Sequence, residues 1–507
     1  MNKDAVKAIV TNTALTYSQE VSALASLAEN EDRTLDYGSE WYKAYNEEIL
    51  CDLGEGVLPY RPRYVIPDYS KLIKNGSEFL NLEPAEDLYE ALNNLLIFYK
   101  HVPSITHFPV YLGGFDDLLE EFVVLVDYKK AKKALKMFLR HIDSTLTDSF
   151  VHANIGPKET VTGNIILELT EEMQLAVPNI TLKYDPKITS DKFAEKSIHC
   201  MLKTAKPSFA NHTMFTNEWG NYAIASCYNG LIIGGGGFTL PRMRLYECSL
   251  KAKNIDEFLN NTLEYYANLQ LEFMDKRIEF LVEQSSFFKS NFLVKEGFVE
   301  LDKFTGMFGV VGLAECVNNL LDIKDPNKGF GHNEEAEALG IRIMEKLTAI
   351  VDGHETKYCA ETNNHYRLHA QVGIDSDKGT DSPGTRIPVG SEPDIFNQLI
   401  VNQKFHQFFP TGTGDIFNFE DTWLSTPDAI LDIIKGSFEG KLRYFSGYLA
   451  NNDVVRVTGY LVKKSELAKL DNKEQSLNSC TVFGQGARDY SKALDRRLVK
   501  DVNSTDK

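Results

Sequence analysis

Seven thiols, eleven imidazoles and one run of four glycines are the groups in this 507-residue chain from which chemistry could be built. The thiols set the first limits. Cys51, Cys200, Cys227, Cys248, Cys316, Cys359 and Cys480 stand far apart with no CxxC pair, the pattern of a reducing compartment and not of a disulfide framework. Most such cysteines serve as small buried apolar groups, so a reactive one must be marked by its surroundings. Cys227 is so marked. It ends the β-prone run NYAIASC and is followed by Asn229-Gly230, by Gly234 to Gly237 and by Thr239-Leu240-Pro241-Arg242, which predicts a strand leading into a finger-like loop. Cys316 is the rival, in FGVVGLAECVNNLL with Glu315 beside it. There Leu313, Cys316, Val317 and Leu320 recur at three and four, the inner stripe of an amphipathic helix.

Metal-type donors gather loosely in HETKYCAETNNHYRLHA: His354, Cys359, Glu361, His365 and His369, the last two at helical i, i+4 spacing. Two such imidazoles could hold a metal together. Asn363 and Asn364 intervene, however, and no four-ligand spacing is present, so local hydrogen bonding is the reading and no metal is expected. His369 and Gln371, with Asn229 after the cysteine, are instead expected as polar groups that meet a substrate. The run Gly234 to Gly237 could cradle phosphate on backbone N–H groups, the basis of a phosphate-binding transferase. Neither a following lysine and hydroxyl nor a helix opening supports this, since the chain enters Pro241. Close backbone packing is the simpler use.

About fifty residues from the C-terminus, Arg456-Val457-Thr458-Gly459-Tyr460 in VVRVTGYLV resembles the backbone-radical motif of glycyl radical enzymes. A glycine between apolar flanks is equally an ordinary hairpin or bulge, and the cysteine loop decides between them. A thiyl cysteine followed by glycines and a T-x-x-L-P-R-like segment is similar to the arrangement in anaerobic ribonucleotide reductases. The likeness to the YjjI-type branch of glycyl radical enzymes runs along nearly the whole chain: LPYRPRYVIPDYSKLIKNGSEFL, HVPSITHFPVYLGGFDDLL, FVHANIGP, the Cys227 segment, FFKSNFLVKEGF, MFGVVGLAECVN and VVRVTGYLV.

The resemblance implies an α/β fold, a ten-stranded barrel surrounded by helices, with the cysteine and glycine loops meeting inside. It implies that Gly459 stores a radical installed by a radical S-adenosylmethionine activating enzyme, with no permanently bound cofactor. Glycine suits this role because a radical at Cα must flatten and delocalise into both flanking amides. Cys227 would then take the radical and abstract hydrogen from a small organic substrate, a polyol, sugar or nucleoside, under anaerobic conditions. A homodimer is also implied. The glycine run would pack against the glycyl loop. Departures narrow the reaction: no cysteine pair adjoins Cys227, no glutamate stands two residues after it, and no cysteine lies between Gly390 and Gly459. These weaken the formate-lyase, diol-dehydratase and nucleotide-reductase readings in turn. Two other classes remain as alternatives: an inactive radical-domain scaffold, and the transferase already described.

The elements that must position these groups are helices and short strands. AEDLYEALNNLLIFYKHV opens on acids, carries Leu88, Leu92, Leu95 and Tyr99 as one stripe and closes on Lys100. IDEFLNNTLEYYANLQLEFMDKRIEFL repeats the pattern. The runs GNIILEL, NYAIASC and VVRVTGYLV read as strands. GIDSDKGTDSPGTRIPVGSEPD, residues 373 to 394, is the one obvious break. It divides a helix-rich N-terminal region and barrel, 1–385, from a C-terminal glycyl radical domain, 386–507. YKKAKKALKMFLRHI is a basic amphipathic helix with a solvated face. A net charge of −18 disfavours nucleic acid and membranes as partners. With no signal segment and no apolar run of about eighteen residues, a cytoplasmic location is expected.

Overall fold

The structure, a computed structural model, describes residues 3–29, 35–52, 61–104, 108–370, 381–449, 451–456 and 459–477. Its helices form where pattern and caps agree. The helix Leu88–Tyr99 starts at Asp87, whose carboxylate accepts from the N–H groups of Tyr89 and Glu90, and buries Leu88, Leu92, Leu95 and Tyr99. The lysine-rich helix Tyr128–Thr145 buries Ala131, Leu135, Phe138 and Ile142. Two of its lysines reach the helix Val161–Met173, where Lys132 pairs with Glu168 at 3.0 Å and Lys136 with Glu172. That second helix corrects the strand reading of GNIILEL. Thr160 caps it by accepting from Gly163 N–H, and the cap and packing outweigh the β preference of the isoleucines.

Three sheets carry the interior. The first has five strands in the order Asp415–Phe419, Tyr444–Leu449, Ser208–Asn211, Asn179–Tyr184, His152–Ile155. The last three run parallel, joined by crossover helices, and Tyr444–Leu449 runs antiparallel to Ser208–Asn211. The second has Leu50–Asp52, Pro241–Arg244, Met307–Val311 and Arg367–Ala370 in that order. The third sets Gly235–Gly237 between Phe304–Thr305 and Tyr64–Ile66. The α/β reading holds. No sheet closes into a single ten-stranded ring among the described residues. One link between the larger sheets is the Ala370 N–H, which donates to the Gly412 carbonyl at 3.0 Å. Residues beyond 386 supply two of the five strands in the first sheet, so that sheet draws on chain from both sides of the 385/386 boundary.

The faces of the five-stranded sheet differ. Ala153, Ile155, Ile180, Leu182 and Phe209 belong to the main apolar core. The alternate residues His152, Asn154, Asn179, Thr181, Lys183 and Ser208 are polar yet buried, and they point inward at two hairpins. One hairpin is Tyr222–Ala225 with Asn229–Ile232; the other is Val454–Arg456 with Leu461–Lys463.

Candidate functional site

The first hairpin carries Cys227 at its tip, as expected. Ala225 pairs with Asn229, leaving Ser226, Cys227 and Tyr228 to make the turn, with Ser226 at φ +58°. Side chains of the sheet hold this finger. Lys183 Nζ donates to the Tyr222 carbonyl at 2.6 Å, and Asn154 Nδ2 donates to that of Ile224 at 2.8 Å. His152 Nδ1 meets the Ser226 carbonyl at 2.9 Å. The Ile224 N–H returns a bond to Asn154 Oδ1 at 2.9 Å. Three alternate carbonyls are thus fixed by three inward side chains. Burial pushes His152 down to about 3, so the ring is neutral, and its Nδ1 proton serves the Ser226 carbonyl. Nε2 is then the acceptor for the Thr181 hydroxyl at 2.8 Å, which in turn lies 2.8 Å from Tyr444 Oη.

The second hairpin brings Gly459 to Cys227. A Cβ placed on Gly459 would lie 1.9 Å from Cys227 Cβ, 2.9 Å from its Sγ and 3.3 Å from its Cα. No residue with a side chain fits there, and the Cα–H bond that such a side chain would replace points at the cysteine. Tyr460 anchors the tip against the Phe150 ring, centroids 5.3 Å apart. The residues 457 and 458 of the motif lie outside the described residues.

Cys227 is 4 % exposed. Burial pushes its thiol above the ordinary cysteine range, with hydrogen bonds from Tyr228 and Ser226 and the charges of Arg386 and Arg63 acting the other way. A protonated, buried thiol is a poor nucleophile and metal ligand, both of which need thiolate. It remains a hydrogen-atom donor. Its Sγ lies 3.5 Å from Asn229 Oδ1, while the buried Asn229 Nδ2 has no partner among the described residues.

His369 also reaches this region, by a route that the i, i+4 reading misses. Arg367–Ala370 is a strand, not a helix, and four residues along a strand span ~13 Å, so His365 and His369 part. His365 Nδ1 meets the His354 carbonyl and His354 Nε2 meets Asp275. Among the described residues no three His, Cys, Asp or Glu side chains gather as metal ligands. His369 instead stacks on Tyr228, centroids 5.8 Å apart. Thr411 Oγ1 gives its proton to the Leu368 carbonyl at 2.7 Å, so His369 Nδ1 must donate to Thr411 across 3.2 Å. Nε2 is left as a bare acceptor, buried and without a partner among the described residues. Burial and the Arg63 charge push this histidine down to about 3. Gln371 lies outside the described residues.

Cys316 is fully buried in the helix Leu313–Leu320, and burial raises it well above its ordinary value. The glycine run is a sheet strand. A Cβ on Gly235 would meet the Lys303 carbonyl at 2.0 Å and one on Gly236 the Tyr64 carbonyl at 2.0 Å. Its close packing is therefore against neighbouring strands, not the glycyl loop, and its position in a ladder on both sides argues against a phosphate cradle.

Sequence reasoning missed the inward row of His152, Asn154, Asn179, Thr181 and Lys183. The signal was present as period-two alternation in HANI and NITLKY, which usually marks a solvated face.

The arrangement places the chain in the glycyl radical enzyme fold. An anaerobic ribonucleotide reductase has a TM-score of 0.71 to it at 13% identity, covering 93% of this chain and 88% of that one. The Thermotoga maritima anaerobic ribonucleotide reductase in complex with dATP and CTP has a TM-score of 0.69 at 12% identity, covering 96% and 93%. Hydroxyproline dehydratase from Clostridioides difficile has 0.64 at 13% identity, covering 91% and 86%.

Within that class, residues 15–499 match the family described as glycyl radical enzyme YjjI-like, and the chain belongs to it. An uncharacterised protein of Haemophilus influenzae is 45% identical over 497 residues, covering 96% of each chain. The uncharacterised protein YjjI of Escherichia coli is 39% identical over 493 residues, covering 96% of this chain and 94% of that one. No described helix is long and apolar enough to cross a membrane.

Proposed function

We propose that Gly459 is the radical store and Cys227 the hydrogen-abstracting thiyl of an enzyme that acts on a small hydroxylated molecule, a polyol, sugar or nucleoside. The observation that carries this reading is the room for glycine alone at 459, directly against a buried, protonated thiol. A radical S-adenosylmethionine activating enzyme takes a hydrogen atom from Gly459 Cα onto its own carbon radical: one C–H bond breaks and another forms. Transfer to Cys227 then breaks S–H and restores the glycine C–H. The thiyl takes hydrogen from a substrate C–H, and the product radical recovers it. Protein groups supply orientation and keep out water and oxygen.

Asn229 Nδ2 and His369 Nε2 support the hydroxylated class, since one offers a proton and the other accepts one, as an alcohol would require on its two sides. Activation needs Gly459 to leave its buried position, and the glycine hairpin, which lies in the segment 386–507 beyond the sheet strand Tyr444–Leu449, is the unit we assign to that motion. The five- and four-stranded sheets would be the main walls of the family's ten-stranded barrel. A homodimer working in an anoxic cytoplasm completes the reading. Anaerobic reconstitution with an activating enzyme, followed by electron paramagnetic resonance, tests it: a glycyl doublet is expected. Its absence while a control glycyl radical enzyme is activated in parallel would overturn the reading.

A further inference from the structure

Gly459 is held through its carbonyl by two side chains that also hold each other. Asn179 Nδ2 and Arg456 Nη1 each donate to the Gly459 oxygen at 3.3 Å. Arg456 Nη2 donates to Asn179 Oδ1 at 3.1 Å and to the Ala205 carbonyl at 2.8 Å. The amide, the guanidinium and the glycine carbonyl therefore close a ring of hydrogen bonds. Asn179 and Arg456 are 0 % and 1 % exposed, so these donors lie away from bulk solvent. Asn179 is fixed further by the Ile180 N–H, which donates to its Oδ1 at 2.9 Å. This buried pair comes from residues 277 positions apart.

A carbonyl beside a carbon radical draws spin and electron density from Cα onto its oxygen, while the amide nitrogen on the other side feeds density in. Donors placed on that oxygen favour the delocalised form. A buried guanidinium does so strongly, because charge-assisted bonds gain strength in a low dielectric. We infer that Asn179, with Arg456, sets the energy of the Gly459 radical through its carbonyl oxygen, and so sets how readily the hole passes to Cys227. This rests on the reading of Gly459 as the radical store. Both are positioning residues: neither touches substrate, and they act through the glycine.

Asn179→Asp separates tuning from mere support. Aspartate keeps the size and gains an ion pair with Arg456, so the hairpin stays held, but it replaces the amide donor to Gly459 with an acceptor. The full-length variant, Asn179→Leu and Arg456→Lys would each be activated anaerobically beside the wild type. For Asn179→Asp we expect radical occupancy at matched activating enzyme to fall about tenfold, the size of one lost neutral hydrogen bond. The doublet splitting should widen as spin returns to Cα, with an unchanged unfolding midpoint. Arg456→Lys, which keeps the charge and loses the fork, should fall between Asn179→Asp and wild type. Wild-type occupancy and splitting in Asn179→Asp would overturn the inference while leaving the radical reading intact; no doublet in the wild type would overturn the radical reading itself. Should Asn179→Asp fail to fold, the wild-type radical exchanged into deuterated water decides. Two exchangeable deuterons on donors to the Gly459 oxygen, beyond the deuteron of the glycine's own amide, are expected to couple to the glycyl spin, and their absence sinks the inference.

Discussion

The two hairpins that meet at the site are held in opposite ways. The Cys227 finger has three of its alternate carbonyls taken by Lys183, Asn154 and His152, and its Ser226 N–H donates to the Val110 carbonyl at 2.9 Å. The Gly459 hairpin is tied to the rest of the chain by Asn179, by Arg456 on Ala205, and by Asn452 Nδ2 on the Leu202 carbonyl at 2.6 Å. Beyond Leu449 it makes a single antiparallel pairing and a short helix, Lys464–Asp471. One hairpin is pinned along its length by side chains of the sheet, and the other is docked at fewer points. That difference fits the proposed pairing of a fixed thiol and a removable radical store, since a unit with few outside bonds opens at lower free energy than the sheet.

Gly459→Ala puts the sharpest strain on this contrast, because the new methyl would overlap Cys227. The glycyl doublet should vanish entirely, and hydrogen exchange should show the docked hairpin displaced while the finger keeps its protection. Cys227→Ser should retain the doublet and lose all substrate-dependent hydrogen exchange, whereas Cys316→Ser keeps both. Reversal of those two cysteine results would place the thiyl on the wrong element. Asn154→Ala strips partners from a buried carbonyl and a buried N–H of the finger. It should cost about 3 kcal/mol in urea unfolding, against about 1 kcal/mol for Asn452→Ala on the docked hairpin. Equal costs would erase the distinction.

A pH slope beside the sheet that supports both hairpins is smaller than the Asn154 effect. Burial pushes His406 down to about 3 from an ordinary 6.5, and its Nδ1 accepts from the Arg443 N–H at 3.2 Å. The unfolded chain takes up a proton that the folded chain refuses. The stability this group contributes is therefore full above about pH 6.5 and is lost as pH falls toward 3, by about 1.4 kcal/mol per pH unit. His406→Gln should remove that slope, so wild type loses about 2 kcal/mol more than the variant on moving from pH 6.5 to 5. Parallel stability curves for the two proteins would contradict it.

Local chemistry was legible in the residues. Asp87 and the Leu88–Tyr99 stripe made a helix as read, NYAIASC ended as a strand at a turn, and VVRVTGYLV folded on itself with glycine at the tip. GNIILEL and the histidine pair were misread because a local pattern was weighed without its neighbours: a Thr160 cap turned one into helix, and a sheet partner turned the other into strand. The glycine run is a crowded strand because the Tyr64 and Lys303 carbonyls lie where its side chains would be.

By itself the sequence determined the candidates, a glycine in a radical-type motif and a cysteine in a finger, since both depend on residue type and near neighbours. Only the tertiary structure decided that these two touch, that the thiol is protonated, and that Asn179, 280 residues away, bonds to the Gly459 carbonyl. Such contacts leave no period in the chain. They exist because folding docks a hairpin from one part of the chain against the buried polar face of a sheet built from another.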